Sequence, residues 1–241
     1  MDASSGLVRD DGRVARRPDW CVALAVAVVL VAGGCSDASP DSPPSGIDEL
    51  QIPTPSPDPE DFVRGVDNPW LALEPGSTWR YSVAGATPGT LVITVEDTPY
   101  DVAGVATTAV TRTEPSGDQV VDYYAQDRHG NVWWFGREGV WLAGEDGAQA
   151  GLAMPATPRL GDGWRAAYDA DVVDVRMTVE TRGQTVDTPA GRYTHVVGLD
   201  ITNPLEPGTA RRASYERGVG LVEEISTDGP VYIAELQSPP S

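Results

Sequence analysis

In YYAQDRHGNVWWFGREGVW, residues 123–141, two aromatic-rich runs flank a polar centre of Asp127, Arg128, His129, Gly130 and Asn131. The Asp127 side chain can bond the backbone two residues on, and Gly130 and Asn131 both tolerate a positive φ. That is the chemistry of a tight hairpin joining two strands. In the second strand Val132 and Trp134 face one way, Trp133 and Phe135 the other. A strand apolar on both faces is either central and buried or exposes one aromatic row. GREG (136–139) then forms another turn, and Val140, Trp141 and Leu142 start a third strand.

Outward from this stretch the same alternation recurs in TWRYSV, LVITVED, VDVRMTVETR, YTHVVGLDIT and PVYIAEL. Short runs rich in Val, Thr and Tyr, bounded by Gly, Pro and Asp, read as half-buried antiparallel strands. No segment carries a convincing amphipathic helical period, so the domain, residues 62–237, is expected to be mainly β. It also repeats itself. Trp79-Arg80 is echoed by Trp164-Arg165, Thr94-Val95-Glu96 by Thr178-Val179-Glu180, Gly104 by Gly191 and Tyr124 by Tyr215. Four echoes in one order predict two sequence-similar halves, 75–135 and 161–226, in antiparallel sheets that close a sandwich or an incomplete barrel. Residues 145–163, rich in Gly, Ala and Pro and without alternation, read as a loop linking the halves.

The first 35 residues read as an export signal. Arg9, Arg13, Arg16 and Arg17 precede the uncharged run CVALAVAVVLVAGG, which ends at Cys35. A basic start, a short apolar run and small residues at a cleavage point are the marks of a secretory signal, and Arg16-Arg17 leaves the twin-arginine route open. The run is shorter than the roughly 20 residues needed to cross a bilayer. VAGGC resembles the lipobox of bacterial lipoproteins, which implies lipidation of Cys35 and tethering to the outer face of the cytoplasmic membrane; plain secretion is the alternative. Residues 36–61 carry seven prolines and few large apolar side chains, the composition of an extended tether.

The chain has 17 Arg, no Lys and a formal charge of −19. Residues 1–35 are balanced, with four Arg and four Asp, so the whole excess lies beyond Cys35. Such a domain offers no basic face to release phosphate counterions, which argues against nucleic acid as a partner. The composition suits a GC-rich genome. The two cysteines are Cys21, inside the signal, and Cys35. The mature domain is therefore expected to have no thiol nucleophile, disulfide or thiolate metal site.

The opening stretch resembles a family of uncharacterised secreted proteins and lipoproteins, largely actinobacterial, marked by Y-A-Q-D-x-x-G-N-V-W-Y-F-G-E. The matching residues are Tyr124, Ala125, Gln126, Asp127, Gly130, Asn131, Val132, Trp133, Phe135 and Gly136, with flanking matches in NPWLALEPGSTW (68–79) and in residues 143–155. Trp134 stands where the family has Tyr, and Arg137 where it has Glu, so no role of that acid transfers. The resemblance implies location and fold; the family carries no established activity. TPAGRYTHVV and ERGVGLVEEI are also similar to segments of curved-sheet envelope lipoproteins, including lipoprotein-carrier-like folds, which hold acyl chains in an apolar concavity.

Three classes of function remain. The first is a non-catalytic binding module for an apolar or envelope-derived ligand, lipid or glycan. Its wall would be Trp133, Trp134, Phe135, Trp141 and Met154, with Gln126 and Asp127 as polar contacts at the rim. The competing reading of these aromatics is simple core. The second is a structural lipoprotein that binds another envelope protein and no small ligand. The third, an envelope hydrolase, has least support. His129 sits in a turn and His195 in a strand, no G-x-S-x-G occurs, and pairs such as Asp169/Asp171, Asp171/Asp174 and Glu223/Glu224 arise freely among 32 acids. The Asp127–Asn131 segment lacks the spacing of a calcium loop, and neither metal nor cofactor is expected.

Overall fold

Residues 58–238 are described by a computed structural model. The expected signal segment with Cys35, and residues 36–57 of the expected tether, lie outside the described residues. Twelve strands in succession form one closed antiparallel sheet. They are β1 (Thr78–Gly85), β2 (Gly89–Val95), β3 (Val105–Thr113), β4 (Gln119–Asp127), β5 (Val132–Arg137) and β6 (Gln149–Met154), followed by β7 (Gly163–Asp169), β8 (Val173–Thr188), β9 (Gly191–Thr202), β10 (Arg211–Glu216), β11 (Gly220–Ser226) and β12 (Tyr232–Ser238). Each strand pairs with the next, and β12 returns to β1 through Leu236↔Tyr81 and Ala234↔Val83. Of the two arrangements expected, the barrel is the one formed, and it is complete.

Alternation along the strands sorts the side chains. One continuous row across the ladders runs Val83, Ala234, Glu224, Ala213, Leu199, Val179. All six are buried, and this row faces the lumen. The neighbouring row, Ser82, Glu235, Glu223, Ser214, faces outward, as do Thr178, Asp200 and Arg212. A lipid-spanning barrel turns an apolar band outward. Here the outward row of these strands carries charge and hydroxyl groups.

The lumen is filled by side chains. Trp79, Tyr81, Leu91, Val95, Met154, Trp164, Leu199 and Leu236 belong to one buried cluster. One end of the barrel is stoppered by the hairpin Val66–Asn68/Leu71–Leu73, whose Val66, Trp70 and Leu73 join that cluster. Asn68 fixes the stopper. Its Oδ1 accepts from the backbone of Trp70 at 2.8 Å, and its Nδ2 donates to the carbonyl of Gly130 at 2.7 Å. The tip of the β8–β9 hairpin adds to the same end, where the Ala190 N–H donates to the Leu236 carbonyl at 2.9 Å.

The aligned stretches occupy equivalent places in two runs of six strands, β1–β6 and β7–β12. Gly76 and Gly161 both take a positive φ, 80° and 84°, at the entry to β1 and β7. In each case the glycine N–H donates to a valine carbonyl, Val95 or Val179, whose own N–H donates back to Ser77 or Asp162. Trp79 then pairs with Ile93, and Trp164 with Met177. Near the stoppered end the two halves are interchangeable in character.

Two boundaries differ from expectation. Residues 58–61, read as the last of the tether, form a short 3-10 turn capped by Asp58. Arg128 holds it, through its N–H to the Asp61 carbonyl at 3.0 Å and its guanidinium to the Asp61 carboxylate at 2.6 Å. Residues 145–163, read as a linking loop, contain β6, which closes the first half onto the second. Five of its six residues are buried, so it lacks a polar phase. Its small residues reflect close approach of the chain: a Cβ on Gly151 would lie 2.3 Å from the Ala166 carbonyl oxygen.

The equivalent tryptophans differ in one bond. Trp79 Nε1 donates to the Val219 carbonyl at 3.0 Å, whereas buried Trp164 Nε1 has no acceptor among the described residues. In the turn of the first half, the Gly130 carbonyl is taken by Asn68. Trp79→Phe strands a partly buried acceptor, while Trp164→Phe removes an orphaned donor. In urea denaturation Trp79→Phe should cost roughly 1–3 kcal/mol more than Trp164→Phe.

Candidate functional site at the open mouth

The sheet divides the residues expected to form a ligand wall. Trp134, Trp141 and Met154 belong to the lumen cluster, and the Trp134 and Trp141 rings meet edge to face at 5.4 Å. Phe135 lies on the outer face in a second cluster with Tyr123, Ala125 and Ala143, against Phe62 at 5.1 Å, and partly buried Trp133 packs against both clusters. The five therefore share no single wall; they are core on two sides of one sheet.

Gln126 and Asp127 are also committed. Gln126 Oε1 accepts from the backbone of Asp67 and Asn68 at 3.0 and 2.8 Å, and its amide donates to the Asp67 carboxylate at 2.6 Å. It binds the stopper to the wall. Asp127 accepts from the backbone of His129 and Asn131, from Asn131 Nδ2 and from Trp133 Nε1, all within 3.0 Å. Burial raises its pKa, but these donors outweigh burial and hold the carboxyl below its usual range. It is the keystone of the hairpin turn.

Both termini of the described unit lie at the stoppered end, as strand polarity requires: β1 begins there and β12 ends there. The opposite end is the mouth. Four of its turns, β1–β2, β3–β4, β9–β10 and β11–β12, surround a cleft of about 440 Å³. Thr87, Glu114, Arg211, Ser226, Asp228 and Tyr232 supply its polar lining, and Ala86, Pro115, Ala210, Pro230 and Val231 its apolar one.

An ionic cluster underlies the cleft. Arg112 Nε donates to Glu114 at 2.6 Å, Nη1 to Glu224 at 2.9 Å and Nη2 to the Tyr232 hydroxyl at 2.6 Å. The other oxygen of Glu224 accepts from Arg211 Nη1 at 2.7 Å, and the Arg211 guanidinium lies 5.0 Å above the Tyr232 ring. Burial opposes the charge on Glu224, yet Arg112 and Arg211 together pull its pKa below the ordinary value. Burial likewise opposes the charge on Arg112, and Glu224, Tyr232 and Glu114 more than restore it. Burial, followed by the nearby carboxylates against the two guanidiniums, pushes the Tyr232 hydroxyl up to about 12.

The mouth is where the halves part company. The ladders that pair Val95 with Val110 and Val179 with Leu199 place Arg112 in register with Ile201 of the second half. By the same count Val120 corresponds to Arg211, Asp122 to Ala213, and Arg137 to Glu224. In the first half Asp122 and Arg137 form their own pair at 2.8 Å beneath Trp134. An apolar layer common to both halves gives way to a layer of charges unique to each.

Other chemistry proposed from sequence does not assemble. His129 and His195 are exposed, on a turn and on a strand. Glu223 and Glu224 lie on opposite faces of the sheet and cannot act on one substrate. Asp174 is engaged with Arg165 and Arg176 at 2.9 Å each. Among the described residues no group of three or more His, Cys, Asp or Glu is arranged to hold a metal ion.

The mouth residues went unread in the sequence although their phase was visible. Val110, Arg112 and Glu114 alternate on one face of VTRTE, as do Val222, Glu224 and Ser226 in VEEIS. A charge on the apolar phase of a strand near its end is the signal. Pairing β3 with β11 across the barrel is not local information.

No protein-family model matches the chain, and no curated protein matches it. Among solved structures it is similar to a lipoprotein candidate from Parabacteroides distasonis, at 14% identity and TM-score 0.38, and to a candidate exported protein with a YmcC-like fold from Bacteroides fragilis, at 15% identity and TM-score 0.40. Each likeness covers 70% of this chain and 97% of the other. Likeness at this level carries no functional information.

Glu224→Gln leaves Arg112 and Arg211 without their shared counter-charge and should cost about 3–5 kcal/mol at pH 7. The folded-state pKa of Glu224 lies below its unfolded value. Its contribution is therefore present above about pH 4.3 and is lost as pH falls through the depressed folded value. Urea midpoints of wild type and Glu224→Gln should differ at pH 7 and converge under acid conditions.

Proposed function

We propose that this protein is an exported, lipid-anchored binding module of the cell envelope, without catalysis of its own, whose ligand seat is the open mouth of the barrel. The observation that carries the seat is the break in internal symmetry. The stoppered half of the lumen repeats itself, and the mouth half does not. A layer needed only to fill the barrel has no reason to replace Ile201 and Val120 equivalents with Arg112 and Arg211. Buried ion pairs are poor stabilisers compared with well-packed apolar groups, so their placement beneath the mouth cleft supports a binding role.

The export part of the reading rests on residues 1–35. The basic start, apolar run and VAGGC supply the signal, and Cys35 becomes the anchored residue. Two or more acyl chains give stable anchoring, at about 0.8 kcal/mol per buried CH₂. Twenty-two residues separate Cys35 from Asp58, where the described unit begins. An apolar ligand in the lumen, expected from sequence, has less support than a polar one at the mouth, because Trp79, Trp134, Met154 and Trp164 already fill that space.

A second reading is a protein-docking lipoprotein. It is favoured by the placement of four exposed apolar residues, Val140, Val172, Leu205 and Val231, on turns around the same mouth.

Metabolic labelling with a palmitate analogue should mark the wild type and miss Cys35→Ser; equal labelling of both removes the anchor. Native mass spectrometry of the protein purified from its own host separates the two readings. A small co-purifying mass that is lost in Arg211→Gln supports the ligand seat. A recovered protein partner with no small mass supports docking.

A further inference from the structure

We propose that the mouth cleft is a seat for a small zwitterion, an amino acid or short peptide, with the ligand carboxylate on Arg211 and its ammonium toward Asp228 and Glu114. The proposal rests on the mouth being a ligand seat and names what that seat selects.

Arg211 is the recognition group. Its guanidinium is held between the Glu224 carboxylate at 2.7 Å and the Tyr232 ring at 5.0 Å. Only Nη1 is used among the described residues, and the side chain is 46% exposed. A guanidinium fixed in this way is a prearranged fork for a carboxylate, since its ordering cost is already met by the fold. Ser226 lies beside it. The Ser226 oxygen accepts from the Tyr232 N–H at 3.0 Å, so its own O–H is left to donate.

The charge balance decides the class. Arg112 and Arg211 are matched by Glu114 and Glu224, so the floor is neutral but divided, with positive charge on the β10 side and a carboxylate on the β3 side. Asp228 adds one negative charge to the lining. A simple anion that reaches Arg211 also meets Glu114 and Asp228, and a simple cation meets Arg211. A molecule carrying both signs a few bonds apart satisfies both sides. A sugar and an acyl chain fit less well. A sugar ring stacks on an aromatic face, but Arg211 covers the face of Tyr232. An acyl chain would strip water from Arg211 and Glu114 without replacing their partners. Ala86, Ala210, Pro115, Pro230 and Val231 provide apolar surface for an aliphatic side chain. The volume, about 440 Å³, falls in the range of small-molecule sites.

The test is saturation-transfer NMR of the full-length protein with a mixture of free amino acids and dipeptides, followed by calorimetry on the strongest hit. N-acetylglucosamine and a short-chain phosphatidylglycerol, which carries no positive charge, are run alongside. A free zwitterion should bind, and acetylating its amine or amidating its carboxylate should each weaken binding at least tenfold. Arg211→Gln should abolish binding, with circular dichroism and the melting transition confirming that the barrel persists. Asp228→Asn, at an exposed position, should weaken the free ligand and leave the amine-acetylated form unchanged. Equal binding of free and doubly capped dipeptides overturns the zwitterion, as does a response from the sugar or lipid alone. In those cases loss of that response in Arg211→Gln keeps the mouth as the seat. If no member of the set binds, or if binding survives Arg211→Gln, the proposal fails; in the latter case the mouth reading fails with it.

Discussion

Closure of the sheet is the constraint on which the rest depends. Once β12 pairs with β1, none of the twelve barrel strands is left as a sheet edge, and each must turn one set of side chains into a common lumen. Twelve strands enclose more space than small residues can fill. Trp79, Tyr81, Trp134 and Trp164 are the answer to that volume, and the hairpin 66–73 answers the open end that strands alone cannot seal. The aromatic content is therefore first a packing requirement. It also explains why β5 is apolar on both faces: Trp134 fills the lumen while Phe135 joins an outer cluster roofed by Phe62, Val102 and Leu142.

A closed sheet also dictates where polar groups go. In the middle of the lumen Tyr81 remains tolerable because its hydroxyl donates to the Leu221 carbonyl at 2.9 Å. Burial raises its pKa, as it does for Tyr124 and Tyr215, so these hydroxyls stay neutral. Full charges appear only toward the mouth. There each is tied to an opposite charge, so that Arg112 spans three partners and Glu224 two. Among the described residues the stoppered end has no such cluster in its lumen; there Gln126 accepts from the backbone of Asp67 and Asn68 and donates to the Asp67 carboxylate, and Asn68 bonds the backbone of Trp70 and Gly130. The barrel thus has an electrostatic direction that its nearly symmetric backbone lacks.

Much of this architecture was legible in the sequence because it is local. The hairpin turn at Asp127–Asn131 follows from side-chain chemistry within five residues, and the opposite facings of Trp133 and Trp134 follow from a period of two. The echo of Trp79 in Trp164 located equivalent strands without coordinates. What was not legible is what depends on contacts distant in sequence. β6 was invisible because burial on both sides removes alternation, and its Gly151 answers to the Ala166 backbone. The expected ligand wall is divided for the same reason: Trp134 and Phe135 are neighbours in sequence yet separated by the sheet. The mouth cluster joins Arg112 to Glu224 across 112 positions, and no periodicity connects them.

Internal repetition supplies a control that a single copy of the motif would lack. Positions serving the fold alone face the same demands in both halves, and they carry similar residues: Val95 and Val179, Trp79 and Trp164, Tyr124 and Tyr215. The mouth positions face the same backbone and the same lumen, yet Arg112 stands against Ile201, Val120 against Arg211, and Arg137 against Glu224. Packing cannot be the cause, since Ile201 and Val120 show that aliphatic residues fit these sites. Nor does neutrality require charges, because an aliphatic layer would be neutral too and would avoid desolvation. What the charges provide is direction: one side of the mouth offers donors and the other offers a carboxylate. A barrel built from two similar halves gains an electrostatic direction only where the halves differ, and in this chain they differ at the mouth.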